Sequence, residues 1–108
     1  MAERRRAKRF PVDKDYYFYP LNRSKVYSCK VRNISASGAC IISKKPLAPQ
    51  EIIYLHITGT GETQFKSQVV WAQDGLYGLS FLLENTEDFE HISFVMNAFS
   101  KKINQADS

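Results

Sequence analysis

Apolar and polar residues alternate along most of the chain, which is the pattern of half-buried β-strands. In the fourth such segment, Ile53, Leu55 and Ile57 can share one face while the residues between them face outward. The segments are joined by connections of hairpin length, and Asp74-Gly75 is a strong tight-turn pair. The predicted strands cover residues 16–19, 25–33, 39–43, 51–58, 63–73 and 76–82. This spacing predicts a six-stranded antiparallel β-barrel, closed so that no edge strand is exposed.

A helical period replaces the alternation near the end of the chain. Between residues 87 and 103, apolar residues recur at three- and four-residue steps, and Asn85 or Thr86 can cap the first turn. The stripe consists of Phe89, Ile92, Val95, Met96, Phe99 and Ile103. Such a stripe must be buried, so we expect the helix to pack on the barrel or on another subunit. The predicted fold is all-β with a C-terminal helix over residues 10–103, followed by a frayed tail at residues 104–108.

The first nine residues lack any apolar period and carry a cluster of cations. The cluster consists of Arg4, Arg5, Arg6, Lys8 and Arg9. Because these cations repel one another, residues 1–9 are expected to form a flexible arm that becomes ordered only on an anion. The whole chain has 108 residues and a formal net charge of +4. It is therefore expected to be one domain with an anionic partner.

Composition argues against several other classes of protein. No apolar run approaches the ~20 residues of a membrane span, so we expect no membrane insertion and a cytoplasmic location. Cys29 and Cys40 are expected to be reduced residues of the core. His56 and His91 have no partner at a metal-ligand spacing, so no metal site is predicted. No histidine accompanies a nucleophile motif, and the chain is expected to be neither an enzyme nor the carrier of a cofactor.

Side chains that could bind a ligand are concentrated in the turn between the second and third predicted strands. Asn33, Ser35 and Ser37 are each separated by one apolar residue, so a period of two would place their side chains on one wall, with Ile34 on the other side. Gly38 permits either a positive φ or the close approach of another molecule. The alternative is a polar turn whose hydroxyls only satisfy the local backbone.

This turn and the basic arm together resemble the signature of the PilZ domain family. Arg5 and Arg9 form an Arg-x-x-x-Arg motif, and Asn-x-Ser-x-x-Gly follows at residues 33–38 in the family's order. Residues 70–71 and 77–81 also look like the family's final two strands. The resemblance covers nearly the whole chain. It implies a non-catalytic receptor for the bacterial second messenger cyclic di-GMP that signals to a protein effector.

The resemblance also implies roles for individual residues. Arg5 and Arg9 would bind phosphates and guanine edges, and the motif residues of the turn, Asn33, Ser35 and Gly38, would meet a guanine. In the family, an arginine immediately before the Arg-x-x-x-Arg motif tends to accompany binding of an intercalated ligand dimer, and Arg4 occupies that place. Arg4 and Lys8 share the motif spacing, so the register stays open. Further candidates are Arg6, Lys8, Arg32, Ser37, Trp71 and Gly78.

Two alternatives remain at this point. A basic arm beside an aromatic-rich barrel is also the outline of a small single-stranded nucleic-acid binder. Binding of that kind needs cations along the sheet face, whereas here they are concentrated in the arm. The chain could also be a PilZ-like interaction domain that does not bind ligand, although the intact motifs argue against it.

Overall fold

The computed structural model describes residues 9–22, 25–57 and 63–107, and it contains a closed antiparallel β-barrel followed by one helix. The strands are β1 (Phe10–Pro20), β2 (Tyr27–Ile34), β3 (Gly38–Ile42), β4 (Ile52–Ile57), β5 (Thr63–Gln73) and β6 (Leu76–Phe81). Around the barrel they follow the order β1-β2-β3-β6-β5-β4. The predicted fold class is confirmed. Of the predicted arm, only Arg9 lies within the described residues.

The interior of the barrel is filled by alternate residues of each strand. Ile53, Leu55 and Ile57 are fully buried, which confirms the alternation predicted for β4. In the aromatic run of β1, Tyr16 and Phe18 point inward and the residues between and after them are more exposed. The core therefore follows directly from the period of two.

Backbone geometry explains the tight connection between β5 and β6. Asp74 and Gly75 both have positive φ, at 50° and 82°. Two positive φ values in succession define the hairpin turn whose twist matches the flanking strands. The carbonyl of Gly75 also accepts a hydrogen bond from the Ser43 N–H at 3.0 Å. The predicted tight turn is confirmed.

Besides a register shift between Pro11 and Lys14, where β1 pairs with β2, two bulges interrupt the regular pairing. The register of β2 against β3 shifts between Val31 and Asn33, and the register of β5 against β6 shifts between Val69 and Trp71. Each shift leaves one extra residue, Arg32 in β2 and a valine in β5. A bulge turns two consecutive side chains to the same side of the sheet. Both bulges therefore bring additional side chains to the outer surface.

The helix α1 (Thr86–Asp107) begins with a side-chain cap. The side chain of Asn85 accepts a hydrogen bond from the Asp88 N–H at 2.9 Å, and Asp88 Oδ2 accepts one from the Glu84 N–H at 2.9 Å. These bonds satisfy amide groups that the helix itself cannot pair. The helix continues past the predicted end at Ile103 because no proline or glycine follows to stop it. Residues 104–107, predicted as tail, are helical in the structure.

One face of α1 is buried, and the helix contacts β1. Ile92, Val95 and Phe99 are buried as predicted, but Phe89 is 54% exposed, so its place in the stripe was predicted wrongly. Phe89 lies roughly 60° around the helix from Ile92, at the margin of the buried face. Within the described residues, no helix has the length and apolar composition needed to cross a membrane.

The two phenylalanines of α1 provide a matched test of this packing. Phe99→Ala should lower the free energy of unfolding by about 3 kcal/mol, because it removes a buried aromatic side chain. Phe89→Ala should cost less than about 1 kcal/mol, because most of that side chain is already in water. Urea unfolding followed by circular dichroism measures both. Equal losses for the two variants would contradict the described orientation of the helix.

Candidate functional site

A row of residues crosses the outside of the barrel over five adjacent strands. Pro11 pairs with Asn33, Asn33 with Cys40, Cys40 with Gly78, and Gly78 with Trp71. Four residues of this row, Asn33, Cys40, Gly78 and Trp71, line a surface groove of about 270 Å³. The groove is lined by Arg9, Asn33, Ala39, Cys40, Val70, Trp71, Gly78 and Leu79.

At one end of the groove, the indole ring of Trp71 lies against Gly78. A Cβ atom at position 78 would collide with Trp71 Nε1, so only glycine leaves room for the ring. The bulge in β5 turns Trp71 outward, and its side chain is 44% exposed. The bulge in β5 and the close approach of the ring thus both occur opposite Gly78. An exposed aromatic face held in this way can stack on a planar ligand group.

At the other end, Arg9 is bonded to Asn33. Arg9 Nη1 donates a hydrogen bond to Asn33 Oδ1 at 2.6 Å, and the contact is exposed to solvent. Arg9 directly precedes β1, and the pairing of Pro11 with Asn33 brings the two residues together. A guanidinium has five N–H donors, so donors remain for a ligand. This end of the groove can bind an anion or a pair of planar acceptors.

The turn after β2 differs from the predicted polar wall. Ser35 is fully buried, whereas Ser37 is exposed, so the two side chains do not share a wall with Asn33. The period of two ends at Ile34 because the chain leaves the strand there. Ser35 Oγ accepts a hydrogen bond from the Ser37 N–H at 3.2 Å and lies 3.4 Å from the carbonyl oxygen of Gly38. The hydroxyl of Ser35 therefore bonds within the turn, to the local backbone and to the Ser37 hydroxyl at 3.1 Å.

Gly38 is required by a close approach of the backbone. A Cβ atom at this position would overlap the carbonyl oxygen of Leu79 on β6. Its φ is not positive, and the group that approaches it is the backbone of β6 rather than another molecule, so neither reason predicted from the sequence explains this glycine. The neighbouring Ser37 carbonyl accepts a hydrogen bond from the Phe81 N–H at 2.9 Å. The turn thereby anchors β3 to β6.

The predicted site residues thus fall into three groups. Those that line the groove are Arg9, Asn33, Trp71 and Gly78. Those that lie beside it, in the turn or at the exposed bulge of β2, are Arg32, Ser35, Ser37 and Gly38. Those that fall outside the described residues are Arg4, Arg5, Arg6 and Lys8.

Sequence reasoning missed four residues of the lining. They are Ala39, Cys40, Val70 and Leu79. A regular strand would alternate the directions of Val70 and Trp71, and only the bulge places both on the outer surface. Gly78, a glycine inside the paired strand β6, is the sequence signal that could have suggested this bulge in β5.

The two cysteines have different surroundings. Cys29 is buried, and burial, followed by the charge of Asp15, raises the pKa of its thiol to about 12. It stays a protonated core residue at neutral pH. Cys40 is half-buried in the groove, and both thiols are free. Within the part of the chain that the structure describes, no three potential metal ligands lie close together.

Solved structures with the same architecture come from several proteins. The PilZ domain with c-di-GMP of YcgR from Escherichia coli is 17% identical, with a TM-score of 0.74 over 97% of this chain and 98% of that one. The PilZ domain of CeSA from a cellulose-synthesizing bacterium is 12% identical, with a TM-score of 0.74 over 86% of this chain and 98% of that one. At such identities these structures establish the fold.

A longer protein contains a similar unit. The K. pneumoniae MrkH–c-di-GMP complex is 18% identical to the chain, with a TM-score of 0.71 over 95% of this chain. The match covers only 53% of the MrkH chain. No curated protein sequence matches the chain significantly.

The sequence itself matches a family model. That model is described as the PilZ domain, and it matches residues 3–96, which include the basic cluster, all six strands and the first half of α1. The chain belongs to the PilZ domain family.

Proposed function

We propose that this protein is a receptor for cyclic di-GMP and that the ligand binds in the groove. The observation that carries the proposal is the Arg9 guanidinium, held by Asn33 at one end of a groove whose other end is the Trp71 indole. The solved complexes of the YcgR PilZ domain and of MrkH with c-di-GMP support the choice of ligand. Asn33 and Trp71 are separated by three strand spacings, or about 14 Å, which suits a nucleotide better than a bare anion.

The chemistry of the two ends matches the two parts of such a ligand. Arginine pairs with the O6 and N7 acceptors of guanine, or with two phosphate oxygens, through parallel N–H bonds. Stacking of a base on an aromatic side chain is worth ~1–3 kcal/mol, and Trp71 offers such a face. Arg9 and Trp71 would therefore hold different parts of one ligand.

The basic arm would close over the ligand from outside. Ordering its backbone costs ~1–2 kcal/mol per residue, which charge-assisted bonds of ~1.5–3 kcal/mol each roughly offset. Net affinity must therefore come mainly from the groove. The position of Arg9 at the groove supports the Arg5–Arg9 register over the Arg4–Lys8 register. Arg4, Arg6 and Lys8 would add contacts to the ligand.

The basic arm would also determine how many ligands bind and how binding is signalled. Arg4, beside the motif, would allow two intercalated ligands to bind to each chain. The ordered arm would present a new surface to a protein effector, because a ligand changes a conformational equilibrium only by differential binding. The protein would act in the cytoplasm, where it would meet the second messenger, and would perform no catalysis.

A calorimetric titration of the full chain with cyclic di-GMP tests the proposal. The wild type should bind with micromolar or lower Kd, about −8 kcal/mol, and saturate at two ligands per chain. Arg9→Ala should weaken binding at least ~10-fold, the effect of losing one charge-assisted bond. Lys44→Ala, which removes the same charge beyond the end of β3, should bind as the wild type does.

Cyclic di-AMP and single-stranded RNA serve as competing ligands in parallel titrations. Neither should bind comparably, because cyclic di-AMP has no guanine and single-stranded RNA does not hold two guanines in one small cyclic dinucleotide. Tighter binding of RNA than of cyclic di-GMP would favour the nucleic-acid alternative. Equal affinities for the wild type and Arg9→Ala would place the ligand elsewhere.

Asn33 and Ser35 should respond to alanine in opposite ways. Asn33→Ala should weaken cyclic di-GMP binding about 10-fold, with a small change in stability, since Asn33 lies in the groove and holds Arg9. Ser35→Ala should lower the free energy of unfolding by ~1–2 kcal/mol, since its buried hydroxyl bonds the turn, while the folded protein still binds. Thermal unfolding measures the stability of both variants, and calorimetry measures their affinity for cyclic di-GMP. A Ser35→Ala protein of unchanged stability that fails to bind would instead assign Ser35 to the ligand.

A further inference from the structure

The charges of the chain are divided unevenly between residues 16–50 and residues 51–107. Residues 16–50 contain six cations and no carboxylate, whereas residues 51–107 contain eight carboxylates and three cations. The cations of the first group are Arg23, Lys25, Lys30, Arg32, Lys44 and Lys45. The last five residues of β1, all of β2 and β3 and the loop after β3 belong to this basic half. A molecule polarised in this way takes a preferred orientation near an anionic surface.

Three of these lysines come from two segments that meet at one end of the barrel. The Nζ atoms of Lys25 and Lys45 lie 5.7 and 5.5 Å from the centre of the Tyr27 ring, which is itself stacked on Phe18. Lys44 is exposed beside Lys45. We call Lys25, Lys44, Lys45 and Tyr27 the lysine end. Among the described residues, the ion pair found is between Lys66 and Glu84, so these lysines have no carboxylate partner there.

Exposed aliphatic side chains accompany the lysine end. Leu21 and Val26 are 55% and 58% exposed, and both lie in the β1–β2 connection that carries Lys25. This connection is at the start of β2, whereas Asn33 and the groove are near its other end, roughly 20 Å away at the rise of a strand. The lysine end is therefore separate from the groove, and the ligand does not account for it.

We propose that the lysine end binds the surface of an anionic phospholipid membrane. Lysines near such a surface are attracted by its negative potential, and each adds to the affinity. Leu21 and Val26 would enter the boundary between headgroups and acyl chains, where tyrosine is also favoured. Long lysine stems can reach lipid phosphates in any arrangement, whereas an acidic protein would need carboxylates in matching positions. The acidic half of the chain would face away from the membrane.

Sedimentation of the full chain with vesicles, without cyclic di-GMP, tests this proposal. The wild type should bind vesicles of phosphatidylcholine mixed with phosphatidylglycerol and should not bind pure phosphatidylcholine. Combining Lys25→Glu with Lys45→Glu should weaken binding at least ~10-fold, because two attractive charges become repulsive. The neutral pair Lys25→Gln with Lys45→Gln should give a smaller loss. Thermal unfolding verifies that each variant is folded.

Two controls separate the lysine end from the other cations. Combining Lys101→Glu with Lys102→Glu on α1 changes the net charge equally and should leave binding within ~2-fold of the wild type, because those lysines belong to the acidic half. Alanine at Arg4, Arg5 and Arg6 removes three of the five cations of the arm. This variant should still lose most of its remaining vesicle binding when the Lys25 and Lys45 reversals are added.

Several results would overturn the proposal. They are a wild type that does not bind the mixed vesicles, vesicle binding that the Lys25 and Lys45 reversals leave unchanged, and binding removed entirely by the arm variant. A wild type that binds soluble polyglutamate but not vesicles would instead indicate an acidic macromolecule. Cyclic di-GMP titration of the reversal variant should match the wild type, so failure at the lysine end is distinguishable from failure at the groove.

Discussion

No side chain fits at position 38, because the carbonyl oxygen of Leu79 occupies the space that a Cβ atom would need. This close approach lets β3 pair with β6, and that pairing joins the two halves of the barrel. The buried hydroxyl of Ser35 holds the turn that delivers Gly38 to this position. Asn33, at the start of the same motif, is left facing the groove. The Asn-x-Ser-x-x-Gly motif therefore combines one groove residue with two residues that build the turn.

The groove depends on the two bulges, in β2 and in β5, that interrupt regular strand pairing. The bulge in β2 lies next to Asn33, and the bulge in β5 exposes Trp71, so irregular positions flank a regular centre formed by β3 and β6. Gly78 gives the indole ring a surface without a side chain on which to lie. Because the strands themselves are fixed by a fully buried core, the two ends of the groove are held rigidly apart. A rigid groove reduces the entropy lost when a ligand binds.

Much of the fold could be predicted because it follows from local patterns. The alternation in β4 and the Asp74-Gly75 turn depend only on residues close in sequence, and both are confirmed. The burial of Ser35 could not be predicted in this way, since the period of two stops where the strand ends. The exposure of Phe89 depends on the angle at which α1 meets the barrel, which no local pattern encodes.

The candidate site was predictable only in part, for the same reason. Arg9 and Asn33 were identified from a motif, and the structure brings them within a hydrogen bond of each other. Val70 and Cys40 were missed because they join the groove only through the pairing of four strands. Roles assigned to Arg4, Arg5, Arg6 and Lys8 stay predictions, as these residues lie outside the described part of the chain.

The emission of Trp71 tests the central claim most directly, since Trp71 is the single tryptophan of the chain and lies in the groove. If cyclic di-GMP binds there, its addition should change the emission saturably, with the midpoint found by calorimetry. Arg9→Ala should move that midpoint to higher ligand concentration. Calorimetric binding that leaves the emission of Trp71 unchanged would contradict the account, because the ligand would then occupy another surface.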